Sequence, residues 1–385
     1  MAELRLVPRS SFDLDPEVEA TLRAEVRDFV AAECAAGRIG RTVDSWLTGW
    51  DEDFSKALAS RGWLGMTVPE EYGGQGLSHL ERLVVTEELL AAGAPVAAHW
   101  IADRQIVPSL LKYGTELQKQ RYLGRIARGE CFFAIGMSEP DAGSDLAGVR
   151  TKATRVDGGW SVSGSKLWTS GAHRAEAFIC LVRTSPLDPA HRHDGLSQLI
   201  VDLRSPGVDI RPIVSMNGHR HFNEVFLADV FVEDAMVFGE IGKGWQQVTS
   251  ELSFERSGPE RFLSTFPLLA ELAEQMQTDD LPRNCELGRF VGRITAMHFM
   301  SMAVAAALER HEKADIAAAA MKLLGTSTEG DIADFADLWG DDHALQQEPL
   351  TSMVVEAVMQ RPGFTIRGGS NEVLRSVLAR GLGLR

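Results

Sequence analysis

Along the chain the spacing of apolar positions changes twice. From residue 15 it is helical: Val18, Leu22, Val26 and Phe29 recur on one face. The run opens on Asp15-Pro16, a capping side chain followed by a proline in the first turn, and closes at Gly37. A second helical segment, Phe54 to Arg61, stops at Gly62; the loop "VPEEYGGQGLS" then leads into amphipathic "HLERLVVTEELLAAG", and helical text continues to about residue 130. Near residue 131 the pattern becomes one of short β-branched or aromatic runs ("FFAIGM", "KATRV", "AFICLVRT", "LSQLIVDL", "NEVFLADVFV"), punctuated by Asp157-Gly158-Gly159 and Ser205-Pro206-Gly207. Strands so closely spaced, with no helices between them, predict an antiparallel β domain rather than βαβ units. Helical periodicity returns from Trp245, through an Ala- and Met-rich stretch suited to close helix packing. The expectation is an α+β chain in three parts: helical over 1–130, β over 131–238 and helical over 239–385.

Charge removes one class of function. A net charge of -15 lacks the basic footprint that nucleic acid requires. Cys34, Cys131, Cys180 and Cys285 form no C-x-x-C pair and read as reduced thiols. The first residues, "MAELRLVPRSSF", contain no apolar signal core, and no run approaches transmembrane length. A cytoplasmic protein with no membrane span is expected.

Common motifs fail in turn. "GEIGKGW" is not a phosphate loop, and no G-x-G-x-x-G opens a helix after a strand. The two H-x-H pairs, in "HRH" at 191–193 and 219–221, lack a carboxylate or cysteine at ligand spacing, so solvated loop histidines are expected and no metal. The stretch "IGMSEPDAGSDLAG" (135–148) is more informative: a strand end running into small and hydroxylated residues, where backbone amides can approach a flat or phosphorylated ligand. On spacing alone, a polar Asx/Ser turn is the favoured reading.

This stretch resembles the Ser/Thr-Glu-Pro-x-Ala-Gly-Ser-Asp core of the acyl-CoA dehydrogenase family, and "GSKLWTSGAH" (164–173) resembles its second flavin segment. "VPEEYGGQGLS", "YGTELQKQRYLGRIARGE", "PGVDIRPI", "FNEVFLADVFV" and "GEIGKGW" follow in the family's order, so the resemblance covers roughly residues 15 to 385. It implies an N-terminal helical domain, a central β barrel or sandwich that binds flavin, and a C-terminal four-helix bundle. The implied activity is FAD-dependent oxidation of an acyl-CoA thioester to the 2,3-enoyl-CoA, in fatty acid or lipid catabolism. Ile135, Met137 and Ser138 are then expected along the isoalloxazine, Trp168 and Thr169 against it, Ser170 near its N5, and Ser370, Asn371 and Glu372 at the cofactor. Ser144 is expected to touch both flavin and the CoA arm.

Such a reaction needs a carboxylate base in a dry site. Most of the family carries it just before a Gly-Thr/Ser step in the last loop, where this chain reads "TIRGGSNEVLR" and places Gly368. A minority branch, isovaleryl-CoA dehydrogenase among it, holds the glutamate on a C-terminal helix before an arginine, as in Glu255-Arg256. Glu255 is thus the expected base and Glu372 the second choice. Arg256, Gly368 and Gly369 are expected at the substrate, and Pro259 is expected to kink the helix carrying Glu255. The alternative is a surface Glu255 paired with Arg256 or facing Glu251. Phe254, Phe262 and Phe266 could shape an acyl pocket or simply pack.

Two family segments that bind the adenine half of FAD across a subunit boundary, Arg-x-x-Phe-Gly and Gln-x-x-Gly-Gly-x-Gly, have no counterpart in "DDLPRNCELGRF" or "DIADFADLWGDDHALQQ". Arg283 or Arg289 could substitute. The readings are a homotetramer passing electrons to electron-transfer flavoprotein, one half of a heterotetramer with a paralogous subunit, or a non-catalytic assembly subunit; an oxygen-using oxidase on the same fold stays open.

Overall fold

The structure is a computed structural model and describes residues 14–256, 258–275, 280–339 and 348–384, without the side chains of 251–255. Its contacts divide the chain into two compact units, neither continuous in sequence: 51–76 with 97–252, and the segments up to residue 50, 77–96 and from 253 on.

The first unit is built on an eight-stranded sheet: β1 (Phe133–Gly136), β2 (Lys152–Val156), β3 (Gly159–Lys166), β4 (Ala177–Arg183), β5 (Leu196–Asp202), β6 (Val208–Ile213), β7 (Phe222–Glu233) and β8 (Val237–Phe238). The order is β6-β7-β3-β2-β4-β5-β8, with β1 beside β4. The expected antiparallel sheet is corrected to a mixed one. β1 runs parallel to β4, from Phe133 opposite Ala177 to Gly136 opposite Cys180, and β2 meets β4 in parallel at Lys152 and Arg183. A parallel pair needs a long crossover, and residues 137–176 supply one that contains the β2–β3 hairpin. Tight strand spacing hid this connection.

Strand β4 is buried along its whole length and β5 at every position but its last, which explains their unbroken apolar text. The helix Glu116–Ala127 packs Tyr122, Leu123 and Ile126 into the same core as Phe133, Phe178 and Val201.

The second unit is helical. His79–Ala91 starts with a full capping box between Ser78 and Glu81. Its Glu87 accepts from Arg23 of the helix Pro16–Ala35 at 3.0 Å and lies 2.7 Å from His298 of the helix Leu281–Glu309. Leu281–Glu309 is long and apolar enough to cross a membrane by length and composition, against the expectation of no such run. In the unit it packs against His79–Ala91 through Leu80, Leu83, Met302, Ala305 and Ala306. The helix Asp315–Trp339 lies between Leu281–Glu309, Leu350–Phe364 and Asn371–Gly381, burying Ala317 to Ala320. It lets another segment come close at Gly325, where a Cβ would fall 2.2 Å from the Arg261 carbonyl oxygen.

The expected kink at Pro259 is corrected to an end. The helix Gly244–Arg256 stops at Arg256, and Gly258 is extended (φ -79, ψ 158) before a 3-10 turn at Pro259–Arg261. A residue before proline is pushed out of the helical region, which explains the stop.

Candidate active site

The "SEPDAGSD" stretch leaves β1 and folds back on itself: Glu139 and Ala142 exchange backbone hydrogen bonds of 2.9 and 3.1 Å. The buried Glu139 carboxylate accepts from the amides of Arg150 (2.6 Å) and Thr151 (2.9 Å) and from Lys166 Nζ (2.7 Å). Burial pushes its pKa up, but the Lys166 charge and these hydrogen bonds outweigh that and hold it below the ordinary carboxylate value. Lys166, fully buried, also donates to the Met137 carbonyl at 3.2 Å. The Leu167 amide donates to the Ser138 carbonyl at 2.8 Å. The two family-like segments are therefore latched together by Lys166 and Glu139, a pair that sequence reasoning passed over although both lie inside the quoted motifs.

Of the residues expected at flavin here, Ile135 sits on β1 opposite Ile179, Met137 and Ser138 follow it half-buried, and Ser144 is exposed. Trp168 takes φ 60, a left-handed conformation that costs a bulky residue roughly 1–3 kcal/mol. Its indole is 53% exposed, edge-on to Phe222 with ring centroids 5.6 Å apart. Asn223 holds this turn by exchanging backbone hydrogen bonds with Thr169 (3.0 and 3.1 Å) and donating its amide to the Thr169 carbonyl at 2.9 Å. The Thr169 hydroxyl is buried without a hydrogen-bond partner among the described residues, and Ser170 is half-buried beside it. An uncovered indole in a strained turn next to an orphaned buried hydroxyl fits a planar, hydrogen-bonding cofactor.

The second unit gathers the remaining residues. Glu255 is the penultimate residue of the helix Gly244–Arg256, and its side chain lies outside the described residues, as does that of Phe254. Arg256 Nε donates to the Gly368 carbonyl at 3.1 Å across 112 residues of sequence. Gly368 and Gly369 take φ 69 and 90, where side chains are strained. Ser370 caps the helix Asn371–Gly381, and buried Asn371 accepts from Lys322 Nζ at 2.9 Å. Glu372 is exposed in the first turn. Its backbone amide, then Ser370, Arg375 and Lys322, hold its carboxyl below the ordinary range, the reverse of what a base requires. Phe262 is core and Phe266 half-buried.

A buried charge cluster that the sequence did not announce anchors the same loop. Arg367 donates to both oxygens of Asp44 (2.7 and 2.6 Å) and to Ser264 Oγ (3.0 Å), with its guanidinium 4.7 Å from the Trp46 ring and 4.9 Å from that of Phe364. Glu329 accepts from the Ser264 amide at 2.9 Å and lies 3.7 Å from Arg367. Burial raises the Glu329 pKa to about 7 despite Arg367. An acid whose pKa is raised in the fold keeps its proton where the unfolded chain, at about 4.3, has lost it. Stability is therefore expected to fall as pH rises from about 4.5 to about 7 and then level off. Glu329→Gln should flatten that slope in thermal melts between pH 5 and 8; an unchanged slope would assign it elsewhere.

Family descriptions for the N-terminal, middle and C-terminal domains of acyl-CoA dehydrogenase match residues 16–130, 134–230 and 284–383. The acyl-CoA dehydrogenase IpdE1 of Mycobacterium tuberculosis is 34% identical over 388 residues, 96% of this chain and 97% of that protein. The chain belongs to the acyl-CoA dehydrogenase family. It is an FAD-dependent oxidoreductase of the kind that converts acyl-CoA to enoyl-CoA. Another acyl-CoA dehydrogenase of M. tuberculosis, FadE34, is 34% identical over 86% of this chain, which spans about half (46%) of that longer protein. The solved Tcur3481-Tcur3483 steroid ACAD superposes with TM-score 0.84 at 30% identity, covering 99% of this chain and 100% of the other.

Proposed function

We propose that this chain oxidises a CoA thioester with Glu255 as the base that removes the α-proton. The reading is supported by one contact: Arg256 Nε bonds the Gly368 carbonyl. The residue that follows Glu255 thus touches the loop position that lacks a glutamate. The second choice, Glu372, points to solvent with a depressed pKa.

FAD, when bound, accepts the β-hydride; the chain holds and orients the reactants. Ser138, Trp168, Thr169 and Ser170, with Ile135 and Met137, would hold its ring, and Ser370 and Asn371 are further candidate cofactor residues. Ser144 and Arg256 would meet the CoA thioester, and the amides about Gly368 and Gly369 its carbonyl. The organisation proposed is helical 1–130, β 131–238 and helical 239–385, in a cytoplasmic tetramer that delivers electrons to electron-transfer flavoprotein.

A heterotetramer is the second reading. Arg283 stacks 4.8 Å from the Trp339 ring and pairs with Asp280 at 3.2 Å, while the exposed Arg289 pairs with Glu286. Residues 340–347 of the second adenine-side segment lie outside the described residues. The solved ChsE4-ChsE5 complex from M. tuberculosis is 29% identical to this chain, with TM-score 0.81. The deciding measurement is flavin per chain, from the visible spectrum of the protein expressed alone. A full complement supports the homotetramer; a folded, colourless protein that turns yellow only with a paralogous partner overturns it.

A further inference from the structure

The Gly368–Gly369 step is approached by two guanidiniums. Arg256 binds the Gly368 carbonyl at 3.1 Å. Arg261 comes from the other side: a Cβ on Gly368 would lie 3.1 Å from its guanidinium carbon and 3.1 and 3.2 Å from its two terminal nitrogens. The direction a side chain at position 368 would take thus ends on a cation. Arg261 is 1% exposed, its guanidinium lies 5.2 Å from the Trp46 ring, and its Nε is 4.0 Å from Glu260. The backbone of Arg261 passes close to Gly325, where a Cβ would meet its carbonyl oxygen at 2.2 Å.

We propose that Arg261 is a further residue of the reaction, holding a fixed positive charge behind Gly368 that stabilises the thioester oxygen as the α-proton leaves. The inference rests on the reading of Glu255 as base and Gly368 as the vacated loop position. In the step, the Cα–H bond breaks, its proton passes to the Glu255 carboxylate, and its electron pair moves through the carbonyl carbon to the thioester oxygen, giving an enolate. Preorganised charge aimed at a developing oxyanion in a dry site is among the strongest means of lowering such a barrier. Arg261 lies 4.0 Å from Glu260, while Arg367 pairs with Asp44 at 2.6 Å and lies 3.7 Å from Glu329. A carboxylate at position 368 would instead be drawn into an ion pair with Arg261. That explains why glycine there accompanies a base on the helix.

The test compares two ligands on flavin-loaded protein by calorimetry: a 3-thia-acyl-CoA, whose thioester readily forms an enolate, and an acyl-CoA thioether with no carbonyl. Arg261→Met is expected to cut the affinity ratio in favour of the thioester at least tenfold and to abolish its long-wavelength charge-transfer absorption. Arg261→Lys, which keeps the charge but shifts it, is expected to cut the ratio about threefold. Equal losses for both ligands, or no loss, would assign Arg261 a packing role and overturn the proposal. If Arg261→Met does not fold, Arg261→Lys decides: an unchanged ratio overturns it. Glu255→Gln separates the two ideas, since it should bind the thioester without the absorption; if the band persists there, the base reading fails.

Discussion

Glu255→Gln is expected to keep a full complement of flavin and to lose acyl-CoA-dependent bleaching, with the reductive half-reaction slowed by about 10²–10⁴-fold, the range associated with a positioned general base. The glutamine keeps the size and polarity of the side chain and removes only its ability to take a proton. Stopped-flow bleaching of the oxidised flavin band reads the half-reaction directly. Glu372→Gln, at an exposed position in the first turn of its helix, should change the same rate far less. If bleaching survives in Glu255→Gln, or the ranking of the two variants is reversed, the base is not on the helix Gly244–Arg256.

The second large effect is on stability. Arg367→Met leaves the Asp44 carboxylate, 1% exposed and held by two short bonds to Arg367, without its counter-ion. Breaking a buried pair from one side costs about 3–5 kcal/mol, chiefly for the charge left behind. Denaturant unfolding should show a loss of that order, and the double variant Asp44→Asn/Arg367→Met should be more stable than the sum of the single losses predicts. Additive losses would mean that the two side chains are not coupled. A mild effect of the single change would mean that water replaces the guanidinium.

Local signals carried much of this architecture. Asp15-Pro16 caps the first helix, Ser78 and Glu81 close their capping box, and apolar β4 and β5 are central strands. The flavin-like segments were legible because their residues are contiguous. What escaped depends on distant pairing: β1 beside β4 through a crossover that hides a hairpin, and Lys166 reaching back to Glu139. Asp44, Glu329 and Arg367 lie in stretches with no common pattern, so nothing in their neighbours' identities predicts that they meet. The helix ends at Arg256 rather than kinking at Pro259 because the proline's restriction falls on Gly258, which is extended.

The separation of Asp44 from Arg367 sets an order of events during synthesis. They are 323 residues apart, and both belong to the helical unit assembled from three separate stretches of chain. The sheet-bearing unit has all its residues by position 252 and can close while the ribosome is still working. Asp44 must wait for nearly the whole chain before its charge is met, so the amino-terminal segment of the helical unit is the part of the nascent protein longest exposed to chaperones and proteases.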